Sequence, residues 1–454
     1  MSSTTESGVN EAELKANSGY RWFVIGLVFV VYTAAYADRA NVGIVLPSIR
    51  AEFSLSNTQA GLIASAFAIA YGAGQIPAAY LIRKLGVHFG LPIFLGLTSI
   101  VTVVIGASIT LVQLVVARIA LGLTEAPVAI GVLTTINNWF PAREKGTASG
   151  IFMAASKFAP VIVPPLGAFI IVSFGWRYVF YFCAVPGLLL ALAWYLAVPD
   201  DPKKARLVSK QEADYIADGD NDAAAAQKPR EDFTGPAMPT LDKLINVKAT
   251  QPMTTTRDVY LSWNIWAAAL GYFCMQGIVG VILAWLPTYL TEVKKYEIMS
   301  VGFVSSAPFV GAVLGNLVGG VISDRLLGGR RKPTMILSAA FTIIMTYTLT
   351  AAPNEAMLLA LLLFLTGFLL SLGISAFLVY PTRLTTRQTY PFAVALLNTC
   401  GQMGLAFFPL ITGVILDHFD WGAVFPFLSA SSLVTLILMF TMIEPVRTPA
   451  PQSP

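Results

Sequence analysis

Runs of about twenty apolar residues recur along this chain, and a run of that length has few ways to fold. About 20 consecutive apolar residues make a helix that crosses the hydrocarbon core of a bilayer. In that core every backbone N–H and C=O must be satisfied within the segment, so such runs become helices. By this rule spans fall at 22–48, 57–82, 88–107, 110–138, 146–173 and 178–198. A second set falls at 260–290, 300–323, 333–351, 355–381, 390–414 and 422–443. The expected fold class is all-α, a polytopic membrane protein with 12 transmembrane helices in two six-helix bundles. The bundles cover 21–198 and 259–444, joined by a polar, charge-mixed linker at 199–258; the tails 1–20 and 445–454 are expected to be disordered. Only 12% of residues are charged, against about 25% in a soluble domain.

The charges that remain are unevenly placed. Lys and Arg in loops set orientation, with the richer side cytoplasmic. An even number of spans puts both termini and the linker on one side. That side collects roughly 22 of the 29 basic residues, and the other has Arg50, Arg177, Lys294 and Lys295. Both termini are therefore expected to be cytoplasmic. The polar N-terminus has no basic segment before a short apolar core, which argues against a cleaved signal peptide. Cys183, Cys274 and Cys400 offer neither a disulfide framework nor a zinc spacing. A net charge of +4 is too small to argue for nucleic acid.

The two halves look duplicated. "GQIPAAYLIRKLGVHFGLP" (74–92) aligns without gaps to "GNLVGGVISDRLLGGRRKP" (315–333). Parallel six-span repeats are a transporter architecture. Small-residue stripes at Gly311, Gly315 and Gly319, and at Ala64, Ala68 and Gly72, would let helices approach closely. Pro127, Pro160, Pro164 and Pro165 would bend or break helices that line a cavity.

Five ionisable residues fall well inside spans: Asp38, Arg39, Arg118, Glu125 and Lys157. Each costs about 2.5–3.5 kcal/mol at a helix centre on the insertion scale, so such residues normally face the bundle interior. All five lie in the N-terminal half. Adjacent residues on a helix point about 100° apart, so Asp38 and Arg39 face different neighbours. Arg118 and Glu125 are seven apart, too far to pair along one helix, and each needs another partner. The charges also read as structural ion pairs between helices, and Lys157 as a residue that snorkels. Two acids against three bases leave a positive excess, which favours an anion as cargo. A buried carboxylic acid beside a cation changes protonation as its partners change, which would supply proton coupling. A membrane enzyme is disfavoured: no His lies in a span, and the two acids sit on different helices among basic residues.

"GGVISDRLLGGRRK" (319–332) resembles the signature loop of the major facilitator superfamily. The resemblance implies a conformational latch of Asp324, Arg325 and Arg331. The N-terminal copy departs from the pattern, with Arg83 where the acid should be. Within that superfamily, "YADRAN" (36–41), "RIALGLTEAPVAIGVLTTINNWFPAREKGTASG" (118–150) and "WLPTYL" (285–290) resemble the anion:cation symporter family, whose members move organic anions.

That resemblance implies a proton-coupled symporter for a small organic anion, a sugar acid or dicarboxylate, with the proton as coupling ion and no other cofactor or metal. Arg39 would hold the cargo's carboxylate, with Tyr36 and Tyr71 orienting it. Asp38 and Glu125 would carry protons, with Arg118 as their electrostatic partner. Asn398 and Gln276 would hydrogen-bond the cargo from the C-terminal half, although both amides also read as glue between helices. Lys157 stands where the sugar-acid members carry a neutral amide, and a second cation suggests a second carboxylate on the cargo. The expected setting is the bilayer of a bacterial inner membrane, with the chain a monomer. The alternative is an uncoupled facilitator or exchanger of an aromatic carboxylate such as a phthalate-like compound.

Overall fold

The computed structural model describes residues 19–141, 144–205, 207–216, 238–386 and 388–447. The expectations for the N-terminal tail, for linker residues 217–237 and for residues 448–454 lie outside the described residues. Eleven helices among those described are long and apolar enough to cross a membrane. They are α1 (Tyr20–Phe53), α2 (Asn57–Ala107), α3 (Leu111–Trp139), α4 (Lys145–Phe174) and α5 (Trp176–Ala197), then α6 (Trp263–Glu292), α7 (Ile298–Leu326), α8 (Lys332–Ala351), α9 (Ala356–Leu384), α10 (Tyr390–His418) and α11 (Trp421–Thr441).

The 51-residue α2 covers two of the spans expected from sequence. A straight helix of that length would run about 75 Å, more than twice the hydrocarbon thickness. It is interrupted at Gly86, whose φ of 72° and ψ of 174° leave the helical region. A side chain there would be strained and would also meet the Asp200 carboxylate. The helix starts where Ser56 and Gln59 form a reciprocal capping box. In α9 the regular helix stops at Ser371 and resumes as Ile374–Val379 and Pro381–Leu384.

Three sequence expectations need correction. Residues 445–447 are not disordered: β2 (Glu444–Arg447) pairs in parallel with β1 (Val247–Thr250) at the end of the linker, which satisfies its backbone. The prolines do not break their helices; α4 runs unbroken through three of them and α3 through Pro127. Of the two small-residue stripes, only that of α7 meets a neighbour along its length. Gly311, Gly315 and Gly319 face the carbonyl oxygens of Phe364, Phe368 and Leu372 on α9, whereas Gly72 has nothing within 4 Å. Close approaches to α2 are made elsewhere, by α3, where Gly122 faces the Phe67 carbonyl oxygen, and by α10 at Gly61.

The helices before and after the linker close on each other at one end. Gly43 abuts the Leu283 carbonyl, Gly61 that of Pro409, Gly413 that of Asn57, and Gly302 meets Pro164 and Ala168. Arg50 pairs with Glu292 at 2.5 Å. The Asp417 carboxylate accepts from the Asn57 and Thr58 N–H groups, both at 2.8 Å, so α10 caps the start of α2. Gly43→Leu is expected to hold this end apart, because its side chain would meet backbone that cannot yield. Spin labels on the exposed positions Ala51 and Val293 should then report a longer distance than in the parent chain.

Candidate functional site

The buried charges sort by helix face, as their spacing requires. On one face of α1, Arg39 reaches α3 and pairs with Glu125 at 2.6 Å. Both are buried, at 8% and 1% exposure. One oxygen of Glu125 takes the whole contact, and Oε2 has no hydrogen-bond partner among the described residues. The guanidinium lies among aromatic rings, 4.1 Å from the centre of Tyr71, 4.8 Å from Tyr36 and 5.3 Å from Phe67. These contacts retain the cation in low-dielectric surroundings without a second acid. The partner that sequence spacing required of Glu125 is therefore Arg39.

Asp38 points elsewhere. Its carboxylate accepts from the Thr102 hydroxyl at 3.2 Å and from the Asn41 amide at 3.3 Å. Arg118 donates to backbone carbonyls, that of Ile63 at 3.3 Å and that of Asp38 at 3.1 Å, and lies 5.0 Å from the Phe67 ring. It thus fixes the backbone from which Asp38 and Arg39 diverge.

A cavity lies between the two halves, walled by residues of α1, α4, α6, α7, α9 and α10. Tyr36, Lys157 and Gln276 line it; Arg39, Asp38, Glu125, Arg118, Tyr71 and Asn398 do not. Tyr36 is the link, since it faces the cavity and also stacks on Arg39. Lys157 is half-buried and has no ion pair or hydrogen bond among the described residues. Across from it, Oε1 of Gln276 is buried without a partner. Asn398 is exposed, two helical turns before the lining residue Leu405.

At the linker end of the molecule two of the three residues named for the latch come together. Arg331 pairs with Asp324 at 2.7 Å. Arg325 is exposed and makes no ion pair among the described residues. Arg330 and Lys332 are the buried cations there, and Arg330 holds Asp242 of the linker through two bonds of 2.6 and 3.0 Å. Arg330 keeps the Asp242 carboxyl below its ordinary range. The buried Glu444, which sequence reading missed, accepts from the N–H groups of Arg331 and Lys332 at 3.1 and 2.7 Å. Burial pushes its carboxyl above the ordinary range, against the pull of those N–H groups.

The N-terminal half has the matching device. Asp200 accepts from Val87 and His88 at 2.5 and 3.0 Å, and both caps span 113 residues of sequence. In each half an acid just past the last helix caps the renewed helix after the repeat loop. The C-terminal cap falls three residues further on than the ungapped alignment places it, so the duplication is real but the second loop is longer.

A helical membrane bundle with buried charges and a cavity between its halves has the form of a carrier for small polar solutes. The family model of the Major Facilitator Superfamily matches residues 28–305 and 297–454, and the chain belongs to that superfamily. Among its relatives is a probable galactarate/D-glucarate transporter, GudP, of Bacillus subtilis (strain 168). It is 28% identical over 444 residues, covering 94% of this chain and 92% of the relative. The protein of the same name from Escherichia coli (strain K12) is 30% identical over 364 residues, 76% of each chain. The crystal structure of a D-xylose-proton symporter matches with a TM-score of 0.72 at 16% identity, covering 93% of this chain and 98% of that one. The chain is thus a membrane transporter and not an enzyme, and its relatives include organic-anion carriers, as the sequence motifs implied.

Removing one partner of a buried ion pair costs about 3–5 kcal/mol, whereas replacing both by apolar groups is often neutral. Arg39→Met is therefore expected to lower the unfolding temperature in detergent, and Arg39→Met with Glu125→Leu to restore it without restoring uptake. Glu444→Ala removes a cap from two N–H groups and should cost roughly 1–2 kcal/mol, with Glu444→Gln milder in the same thermal assay.

Proposed function

We propose that the chain is a secondary active transporter that takes up an organic anion, a sugar acid or a dicarboxylate, together with protons by alternating access. Its fold would comprise 12 spans in two six-helix bundles, with α2 supplying two of them through its break at Gly86. The observation that carries this reading is the buried Arg39–Glu125 pair. While Glu125 is ionised it occupies the guanidinium and competes with any carboxylate from the cargo. A proton on Oε2, the oxygen without a partner, removes that competitor. Proton and anion then favour the same state of the carrier, which is thermodynamic coupling between their sites.

Lys157 on α4 and Gln276 on α6 support the reading from opposite walls of the cavity. A cargo held by both would draw the halves together and link occupancy to their relative movement. The named activity of the relatives supports an organic anion as that cargo. The bias of basic residues supports cytoplasmic termini and residence in a bacterial inner membrane. The closed end with Arg50 and Glu292 then faces outward, and the structure corresponds to an outward-closed state.

Vesicles containing the purified chain test the coupling. One pH unit carries about 1.4 kcal/mol per proton, enough for roughly tenfold accumulation at one proton per anion. Labelled anion should accumulate when the outside is acidic. Asp38→Asn and Glu125→Gln should abolish accumulation while leaving exchange of anion across the membrane measurable. Uptake that only equilibrates in the parent chain would identify a facilitator and defeat the proposal.

A further inference from the structure

The wall of the central cavity carries information about the cargo that its charges alone do not. Fifteen residues line it, and only Tyr36, Ser156, Lys157, Gln276 and Ser371 have polar side chains. Ser156 already donates to the Met153 carbonyl at 2.7 Å. The face from the C-terminal half is dominated by Val279, Ile282, Leu283, Phe309, Leu370 and Leu405. Lys157 is the one cation in the lining and has no partner among the described residues. The site therefore combines a single charged anchor, two or three free hydrogen-bonding groups and a broad apolar surface.

We infer that the cargo of this cavity is a carboxylate with an apolar body, alkyl or aromatic, rather than a polyhydroxylated chain. The inference rests on the organic-anion reading above and narrows it. A sugar diacid such as galactarate carries a hydroxyl on every inner carbon. Each hydroxyl buried without a partner costs about 1–3 kcal/mol. Tyr36, Gln276 and Ser371 cannot satisfy all of those hydroxyls and also orient a carboxylate. An apolar chain asks nothing of the same wall and gains roughly 25 cal/mol for each Å² it removes from water. A site built to bind hydroxyls also discriminates strongly against ligands that lack them, because its own polar groups are left unpaired. Gln276 is the one lining side chain with an orphaned buried atom, so this wall imposes little of that penalty on an apolar cargo.

Hexanedioate and galactarate form a matched pair, with the same six-carbon backbone and the same two carboxylates, differing only in hydroxyls. Benzene-1,4-dicarboxylate adds a rigid apolar body of similar length. Binding of each to the purified full chain, measured by calorimetry at one acidic and one neutral pH, tests the inference. One of the two apolar diacids should bind at least tenfold more tightly than galactarate. Lys157→Gln should weaken that diacid at least tenfold with the unfolding temperature unchanged. Galactarate binding as tightly as the apolar diacids, or more tightly, would overturn the apolar-body inference and leave the organic-anion proposal standing. Binding of none of the three at either pH, with no uptake of any into vesicles, would overturn both.

Discussion

A charge in hydrocarbon has to be answered inside the protein, and the N-terminal half is organised around that requirement. Arg39 and Glu125 answer each other at 2.6 Å, and the rings of Tyr36, Phe67 and Tyr71 enclose the cation. Arg118 is answered by main-chain oxygens, one of them from Asp38 itself. Asp38 is answered by a hydroxyl and an amide. None of these groups can move alone without leaving a neighbour unpaired. These contacts tie α1, α2 and α3 to one another. Lys157 stands outside this arrangement. An unanswered cation facing a cavity is the group for which a cargo would supply the missing partner.

The contacts between the halves have a different character. They are made by small residues against main-chain carbonyls: Gly43, Gly61, Gly302 and Gly413 all bring backbones together at the closed end. The ionic contacts there, Arg50 with Glu292 and Asp417 with the start of α2, lie at the helix ends where water reaches them. Solvated ion pairs contribute little and re-form easily. Desolvated pairing thus lies within one half, and wetter pairing lies between the halves. The caps provided by Asp200 and Glu444 extend the same logic to the other end, where each half fastens its own loop internally.

Much of this was legible in the sequence because hydropathy and helical spacing are local. The spans, the buried charges and the divergence of Asp38 from Arg39 follow from residues close together in the chain. What was not legible depends on partners far apart in the chain. The Arg39–Glu125 pair joins two helices whose rotation about their axes no single-helix pattern fixes. The acidic caps lie 113 residues from the N–H groups they serve. Arg330, not Arg325, is buried because the path of the linker brings Asp242 to it. The stripe ending at Gly72 looked like that of α7, but a small residue permits close approach without compelling it. Whether a neighbour arrives is decided by the whole bundle.

The adjacency of Asp38 and Arg39 then has a physical explanation. On a helix, neighbours diverge by about 100°, so one turn of α1 serves two compartments. Arg39 belongs to the aromatic compartment that Tyr36 connects to the cavity. Asp38 belongs to a polar seam with the second part of α2, through Thr102. Arg118 touches both, since it binds the Asp38 carbonyl and lies against Phe67, which also lies under Arg39. A change at Asp38 would therefore reach the Arg39 side through the backbone of α1 and through Arg118. Two charges side by side in the sequence are the shortest way to serve two compartments from one turn of helix.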